Sequence, residues 1–132
     1  MDSLTQRDRQ IFEGKNFAHL VTLMPDGSPQ ASPVWVELDG DMILVNSSEG
    51  RVKTNNVQRN PRIAISILDG DEPYGGVVMV RGLVKEVTTD GADAQIDRLA
   101  KKYLGKDKYP WRQPNEQRVT FKIVPEQVVH AS

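Results

Sequence analysis

Cysteine is absent from the 132 residues, which excludes disulfides, thiol chemistry and cysteine-ligated zinc or iron–sulfur clusters. Histidine is nearly absent too. His19 and His130 stand far apart with no metal-ligand spacing around either, so each reads as a strand residue rather than a ligand. There is no excess of either charge: 17 basic and 18 acidic side chains leave a formal charge of −1. Broad nucleic-acid binding wants a strongly basic surface, so any electropositive site here must be local. No apolar run approaches membrane-spanning length, and Met1-Asp2-Ser3-Leu4-Thr5 lacks the positive and apolar regions of a secretory signal. A cytoplasmic protein with no membrane partner is the expectation. Also missing are a nucleophilic triad, a carboxylate dyad, an internal repeat, a low-complexity tract and a linker.

What is present describes an ordinary soluble chain. Hydrophobic residues at 38% beside 27% charged residues are enough for a packed core and too apolar for disorder. The length suits one domain over 1–132, with a single core of modest depth.

Ser3-Leu4-Thr5-Gln6 has capping-box spacing, and Leu4, Ile11 and Phe12 share one helical face. A short helix ending near Gly14 is expected. Residues 17–24 then alternate with period two, Ala18, Leu20 and Thr22 opposing His19, Val21 and Leu23, and Pro25-Asp26-Gly27-Ser28 closes a hairpin. The partner strand, 30–38, sets Ala31, Pro33, Trp35 and Glu37 on one side and Ser32, Val34, Val36 and Leu38 on the other. Pro33 has no amide for a ladder, so this strand belongs at an edge or carries a bulge, where a ligand can meet free backbone groups. Further strands are expected at 42–45, 62–68 and 77–88, the last with a bulge or bend at Gly82. Asp90 is placed to cap a helix reaching Leu104, whose buried stripe is Ala92, Ile96, Leu99, Ala100 and Tyr103. Residues 105–117 are irregular, and a final strand runs 118–124 and resumes after Pro125 at Val128-Val129. Six strands, tight hairpins and three helices predict a mainly β, antiparallel barrel rather than a doubly wound sheet.

The stretch 46–62 carries the chemistry. Asn46, Ser47 and Ser48 end a strand; Glu49-Gly50 leads into a short helix stopped by Pro61; Arg51 and Lys53 stand on its first turn. A helix start exposes unpaired amides and a partial positive charge, so cations there run against the usual preference for acids. A bound anion resolves the conflict, and phosphate suits the geometry best. The alternative is a solvated basic helix whose charges pair with surface acids.

Three segments taken together resemble a known family. They are Thr22-Leu23-Met24-Pro25-Asp26-Gly27-Ser28-Pro29-Gln30 with Ser32-Pro33-Val34-Trp35, then Gly50-Arg51-Val52-Lys53-Thr54-Asn55-Asn56-Val57, then Asn60-Pro61-Arg62. Their order and spacing resemble the pyridoxamine-5′-phosphate-oxidase-like split barrels, and more closely the flavin/deazaflavin oxidoreductases thought to use coenzyme F420. Val80-Arg81-Gly82-Leu83-Val84 and Lys102-Tyr103-Leu104-Gly105 extend the likeness over nearly the whole chain.

The resemblance implies a homodimer of six-stranded split barrels of the FMN-binding kind, with two cofactor sites in grooves at the interface. Arg51 and Lys53 would hold the cofactor phosphate, with Thr54 and the amides around Ser48 to Gly50 beside it. Ser32, Pro33, Val34 and Trp35 would lie along the ring system, continued by Asn46, Ser47 and Ser48. From the other subunit, the Tyr74 loop and the segment around Trp111 would close the groove. The implied activity is hydride transfer from reduced F420 to an unsaturated small molecule. The alternatives are an FMN-dependent oxidase or reductase of the same fold and a non-catalytic F420 carrier. Haem, bound by some split-barrel relatives, is disfavoured by two isolated histidines.

Overall fold

The computed structural model describes residues 3–130. Its elements are α1 (Gln6–Glu13), β1 (Ala18–Leu23), β2 (Pro29–Val34), β3 (Val36–Asp39), β4 (Met42–Ser48), α2 (Val52–Arg59), β5 (Arg62–Leu68), β6 (Val77–Thr88), α3 (Ala92–Leu104) and β7 (Arg118–Val129). The strands form one antiparallel sheet in the order β2-β1-β5-β6-β7-β4-β3.

Seven strands stand where six were expected, because the single strand foreseen at 30–38 breaks at Trp35. β2 pairs with β1 at one end of the sheet, and β3 pairs with β4 at the other. One residue joins two strands at opposite ends, and one residue spans no more than about 7 Å. The sheet must therefore curl until its two edges meet at Trp35, which makes it a split barrel. Pro33 sits on edge strand β2, as its missing amide requires. The alternation expected across the break survives it: Val34 and Val36 are buried, whereas Ala31 and Pro33 are exposed.

Two apolar clusters result. The larger fills the barrel with Phe12, Leu20, Val36, Ile65, Phe121 and their neighbours. The smaller lies under α3, where Ile96, Leu99 and Tyr103 pack on Trp35 and Tyr109. The expected buried stripe of α3 is correct, with Gln95 added.

Both helix starts differ from expectation. Thr5, not Ser3, caps α1, in a capping box closed by the Asp8 side chain. Gly91 in the left-handed conformation, not Asp90, begins α3. An aspartate can substitute for glutamate in the first case, and a positive φ of 74° excludes most side chains in the second.

The expected irregularity at Gly82 is present. Arg81 lies opposite Gln127 but Gly82 lies opposite Pro125, so the β6–β7 register shifts there. A Cβ on Gly82 would stand 2.3 Å from the Val124 carbonyl oxygen, a backbone atom with no room to yield. Gly82→Ala is expected to cost about 1–3 kcal/mol or more through overpacking. A fall in urea midpoint at unchanged slope would be the signature, and an unchanged midpoint would contradict the close approach.

Candidate active site

The corner at Trp35 is fastened from outside the sheet. Val36 lies opposite Val45, yet its amide donates to the Tyr103 hydroxyl at 3.2 Å and its carbonyl accepts from Lys102 Nζ at 2.6 Å. The same hydroxyl donates to the Asn16 carbonyl at 2.6 Å, and Lys102 also donates to the Phe12 carbonyl at 2.6 Å. Two consecutive residues of α3 thus satisfy backbone groups of three segments at once. Burial pushes the Tyr103 hydroxyl up to about 12, so it stays a protonated donor. Burial pulls Lys102 down to about 8, opposed by the nearby Glu37 and Glu13 carboxylates.

Beside this corner lies a cavity of about 280 Å³. One wall is aromatic. The Trp35 ring stacks on Tyr103 at 5.2 Å and 6° on one side, and meets Tyr109 and Trp111 edge-on or tilted at 6.1 and 6.4 Å. Pro33 and Val34 from β2 and Ile96 and Leu99 from α3 add apolar surface. The opposite end is cationic, lined by Arg51, Lys53 and Arg118.

α2 supplies the first two cations. Gly50, at φ 87°, turns the chain out of β4, and Arg51 occupies the N-cap position without a side-chain cap bond, with no acid in the first turn. Lys53 approaches only the Ser32 hydroxyl, at 3.5 Å, and has no acid within 4 Å among the described residues. Burial first, then the Arg51 and Arg118 charges, hold the Lys53 ammonium below its ordinary pKa. Arg51 faces one acid, Glu116, at 3.6 Å. The solvated-helix alternative, in which both cations pair with acids, therefore fails for Lys53 and holds only loosely for Arg51.

Arg118 has no local signal in the sequence. It enters through register, opposite Ser48 at the β4–β7 ladder end. Its side chain is buried; Nε donates to Asn46 Oδ1 at 2.8 Å, Nη1 to Glu116 at 2.9 Å, and the guanidinium lies 5.1 Å from the Tyr109 ring centre. Asn46 is held in turn by the Ala92 carbonyl and Gln95 on α3. Asn46 lines the cavity, but its amide is committed to orienting Arg118.

Of the residues picked out by sequence, Pro33, Val34, Trp35, Asn46, Arg51, Lys53 and Trp111 line this one cavity, with Ser32 at its rim beside Lys53. Others lie elsewhere. Thr54 is fully buried, donating to the Ser48 carbonyl at 2.8 Å with Ser47 Oγ at 2.9 Å, so Thr54 and Ser47 dock α2 on β4 instead of facing a ligand. Ser48 is buried with them. Two amides near Gly50 are engaged, Glu49 with the Gln117 carbonyl and Arg51 with that of Ser48. Gly50 serves the turn. Tyr74 is 98% exposed on the loop between β5 and β6 and does not line this cavity. Trp111, expected from a partner subunit, faces the cavity of the same chain.

Segment 105–117 brings it there. Asp97 accepts from the Tyr109 amide at 2.9 Å and from Arg112 at 2.8 Å, and Asp93 accepts from Arg112 at 3.1 Å. This stretch, unreadable from its composition, is strapped to α3 by acids one helical turn apart.

Among the described residues no group of His, Asp and Glu could hold a metal ion, and no helix is long and apolar enough to cross a membrane.

Known proteins show the same architecture. The family described as pyridoxamine 5′-phosphate oxidase matches residues 4–131. A solved structure described as an F420 reductase is 30% identical, with a TM-score of 0.80 over 92% of this chain and 94% of its own. A conserved hypothetical protein of Mycobacterium tuberculosis is 21% identical, with a TM-score of 0.70 over 91% of this chain and 79% of its own. General stress protein 26 of Bacillus anthracis is 16% identical, with a TM-score of 0.65 over 92% and 88%. At those last two identities the likeness concerns the fold alone.

Tyr103→Phe removes the hydroxyl on which a buried amide and a buried carbonyl depend. A loss of about 1–3 kcal/mol in denaturant unfolding is expected, with a change in Trp35 emission as its stacking partner loosens. Wild-type stability in this variant would show that the corner needs no fastening.

Proposed function

Because the chain belongs to the pyridoxamine 5′-phosphate oxidase family, we propose that the cavity holds a phosphate-bearing, flavin-type cofactor and that the protein is an oxidoreductase using coenzyme F420. The observation that carries this reading is the pairing of three cations, matched by one acid, with an aromatic and apolar wall in a single cavity. That donor set fits a ligand with an anionic end and a flat ring. Bound there, a reduced deazaflavin would supply a hydride to an unsaturated small molecule. The 30% identity to a protein described as an F420 reductase favours F420 over FMN.

The chain's own contribution is position and electrostatics. Arg51 and Lys53 grip the phosphoryl group, whose negative charge opposes the burial and cation repulsion that lower the Lys53 pKa. Pro33, Val34 and Trp35 line the ring, with Pro33 and Val34 at the end of an edge strand whose outer backbone groups are free of a ladder. Ile96, Leu99 and Trp111 exclude water from the reacting face. Tyr109, at the cavity wall, is better placed than Tyr74 to deliver a proton.

FMN carries a comparable ring and phosphate, and the cation cluster fits both. Side-by-side fluorescence titration of the purified protein with F420 and FMN tests the reading, and single-turnover oxidation of bound reduced cofactor by candidate acceptors separates an enzyme from a carrier. Lys53→Ala should weaken binding of the preferred cofactor by about 1–3 kcal/mol, roughly five- to 150-fold in Kd. Equal affinity in the folded variant would remove the phosphate role.

A homodimer belongs to this reading. The outer faces of β1, β5 and β6 carry two shallow adjoining hollows of about 310 and 440 Å³, lined by Val21, Ala64, Met79 and Leu83 among others. The half-buried apolar side chains on this outer face support pairing with a second copy, to which Tyr74 is then available. Light scattering should give twice the chain mass in the parent and a shift toward monomer in Ala64→Arg. A monomeric parent at tens of micromolar would count against the pairing.

A further inference from the structure

Glu116 is the lone acid among three cations. Its carboxylate bridges two arginines, with one oxygen 2.9 Å from Arg118 Nη1 and the other 3.6 Å from Arg51 Nη2. It is nine-tenths buried, and its Arg118 partner is more so. A half-exposed Arg51 and a buried Arg118 would have no other reason to approach one carboxylate, since like charges repel. We propose that Glu116 is a resident counter-ion for this cluster, which the phosphoryl group of a ligand must displace from Arg51.

The counter-ion role rests on the anion-binding reading above and carries a cost and a consequence. The cost is competition: an anion arriving between Lys53 and Arg51 meets a negative charge already on Arg51, so affinity is held below what three cations would give. The two bonds differ in a way that assigns the roles. The 2.9 Å contact with Arg118 is a charge-assisted hydrogen bond between buried groups, and Asn46 fixes Arg118 from the other side. The 3.6 Å contact with Arg51 is too long for a hydrogen bond and links to a half-exposed side chain. The Arg51 contact is therefore the one that yields.

The consequence concerns the aromatic wall. Glu116 and Trp111 share the 105–117 segment, and the Glu116 amide bonds to the Gln113 carbonyl at 3.3 Å. A shift of the carboxylate away from Arg51 is passed along this segment toward Trp111, which is anchored to α3 only through its neighbours. Arrival of a phosphoryl group at one end of the cavity thus adjusts the wall at the other.

The test uses the full chain and inorganic phosphate, at constant ionic strength set with chloride, followed by tryptophan emission and by thermal shift. Glu116→Gln should bind phosphate roughly three- to tenfold more tightly than the parent. The gain should vanish when Arg51→Gln is combined with it, because the competition acts through Arg51. Glu116→Asp, which keeps the charge but shortens its reach, should fall between parent and Glu116→Gln and serves if the latter folds poorly. Phosphate should change tryptophan emission in the parent more than in Glu116→Gln. Equal or weaker binding in both variants, with the parent still binding phosphate, would overturn the counter-ion role and leave the anion site standing. No phosphate binding by the parent or either variant would remove the anion site and this role with it.

Discussion

A single residue joins strands that lie at opposite ends of the sheet, and the candidate site depends on that corner being held. Trp35 cannot be stabilised by a ladder on both sides, since the strand changes partner there. The polar groups of Val36 are bonded instead to Lys102 and Tyr103. Leaving a buried amide or carbonyl unpaired costs about 1–3 kcal/mol, comparable to a large share of the stability of a small domain. The fastening is thus a condition of the fold, and it also sets the plane of the Trp35 ring through its stacking on Tyr103. Structure and site share one joint.

At the cavity's other end the energetics run the opposite way. Three like charges are brought together at the start of a helix whose own amides are positive, and one of them is desolvated. Such an arrangement destabilises the folded chain in isolation. Only partial relief comes from Glu116, which reaches two of the three cations. A ligand anion would resolve this conflict, and under the proposed function that anion is carried by a flat ring lying on the neighbouring aromatic wall.

Much of this was legible in the sequence, for reasons that can be stated residue by residue. The period-two alternation of 17–24 and the donor-less Pro33 marked an inward face and an edge, because both follow from local backbone chemistry. Arg51 and Lys53 stood out because cations at a helix start oppose its dipole. What stayed hidden depends on distance in the chain. Arg118 joins the cluster only through the β4–β7 register. Thr54 and Ser47 were expected at the ligand only through the family resemblance, and their hydroxyls bond each other where α2 meets β4. The break at Trp35 could not be foreseen, since alternation continues unchanged across it, and only the switch of partner strand reveals the corner.

The two ends of the cavity are built from parts that can vary separately. Arg51 and Lys53 come from the start of α2 and Arg118 from β7, the last held by Asn46. Tyr109 and Trp111 come from a segment tied to Asp93 and Asp97 on the outside of α3. Exchanging Trp111 alters the aromatic wall, whereas Glu116 on the same segment reaches the cationic end. Glu116 and Tyr109 both lie on the strap and meet Arg118, and under the counter-ion proposal it is through Glu116 that occupancy of one end would be felt at the other.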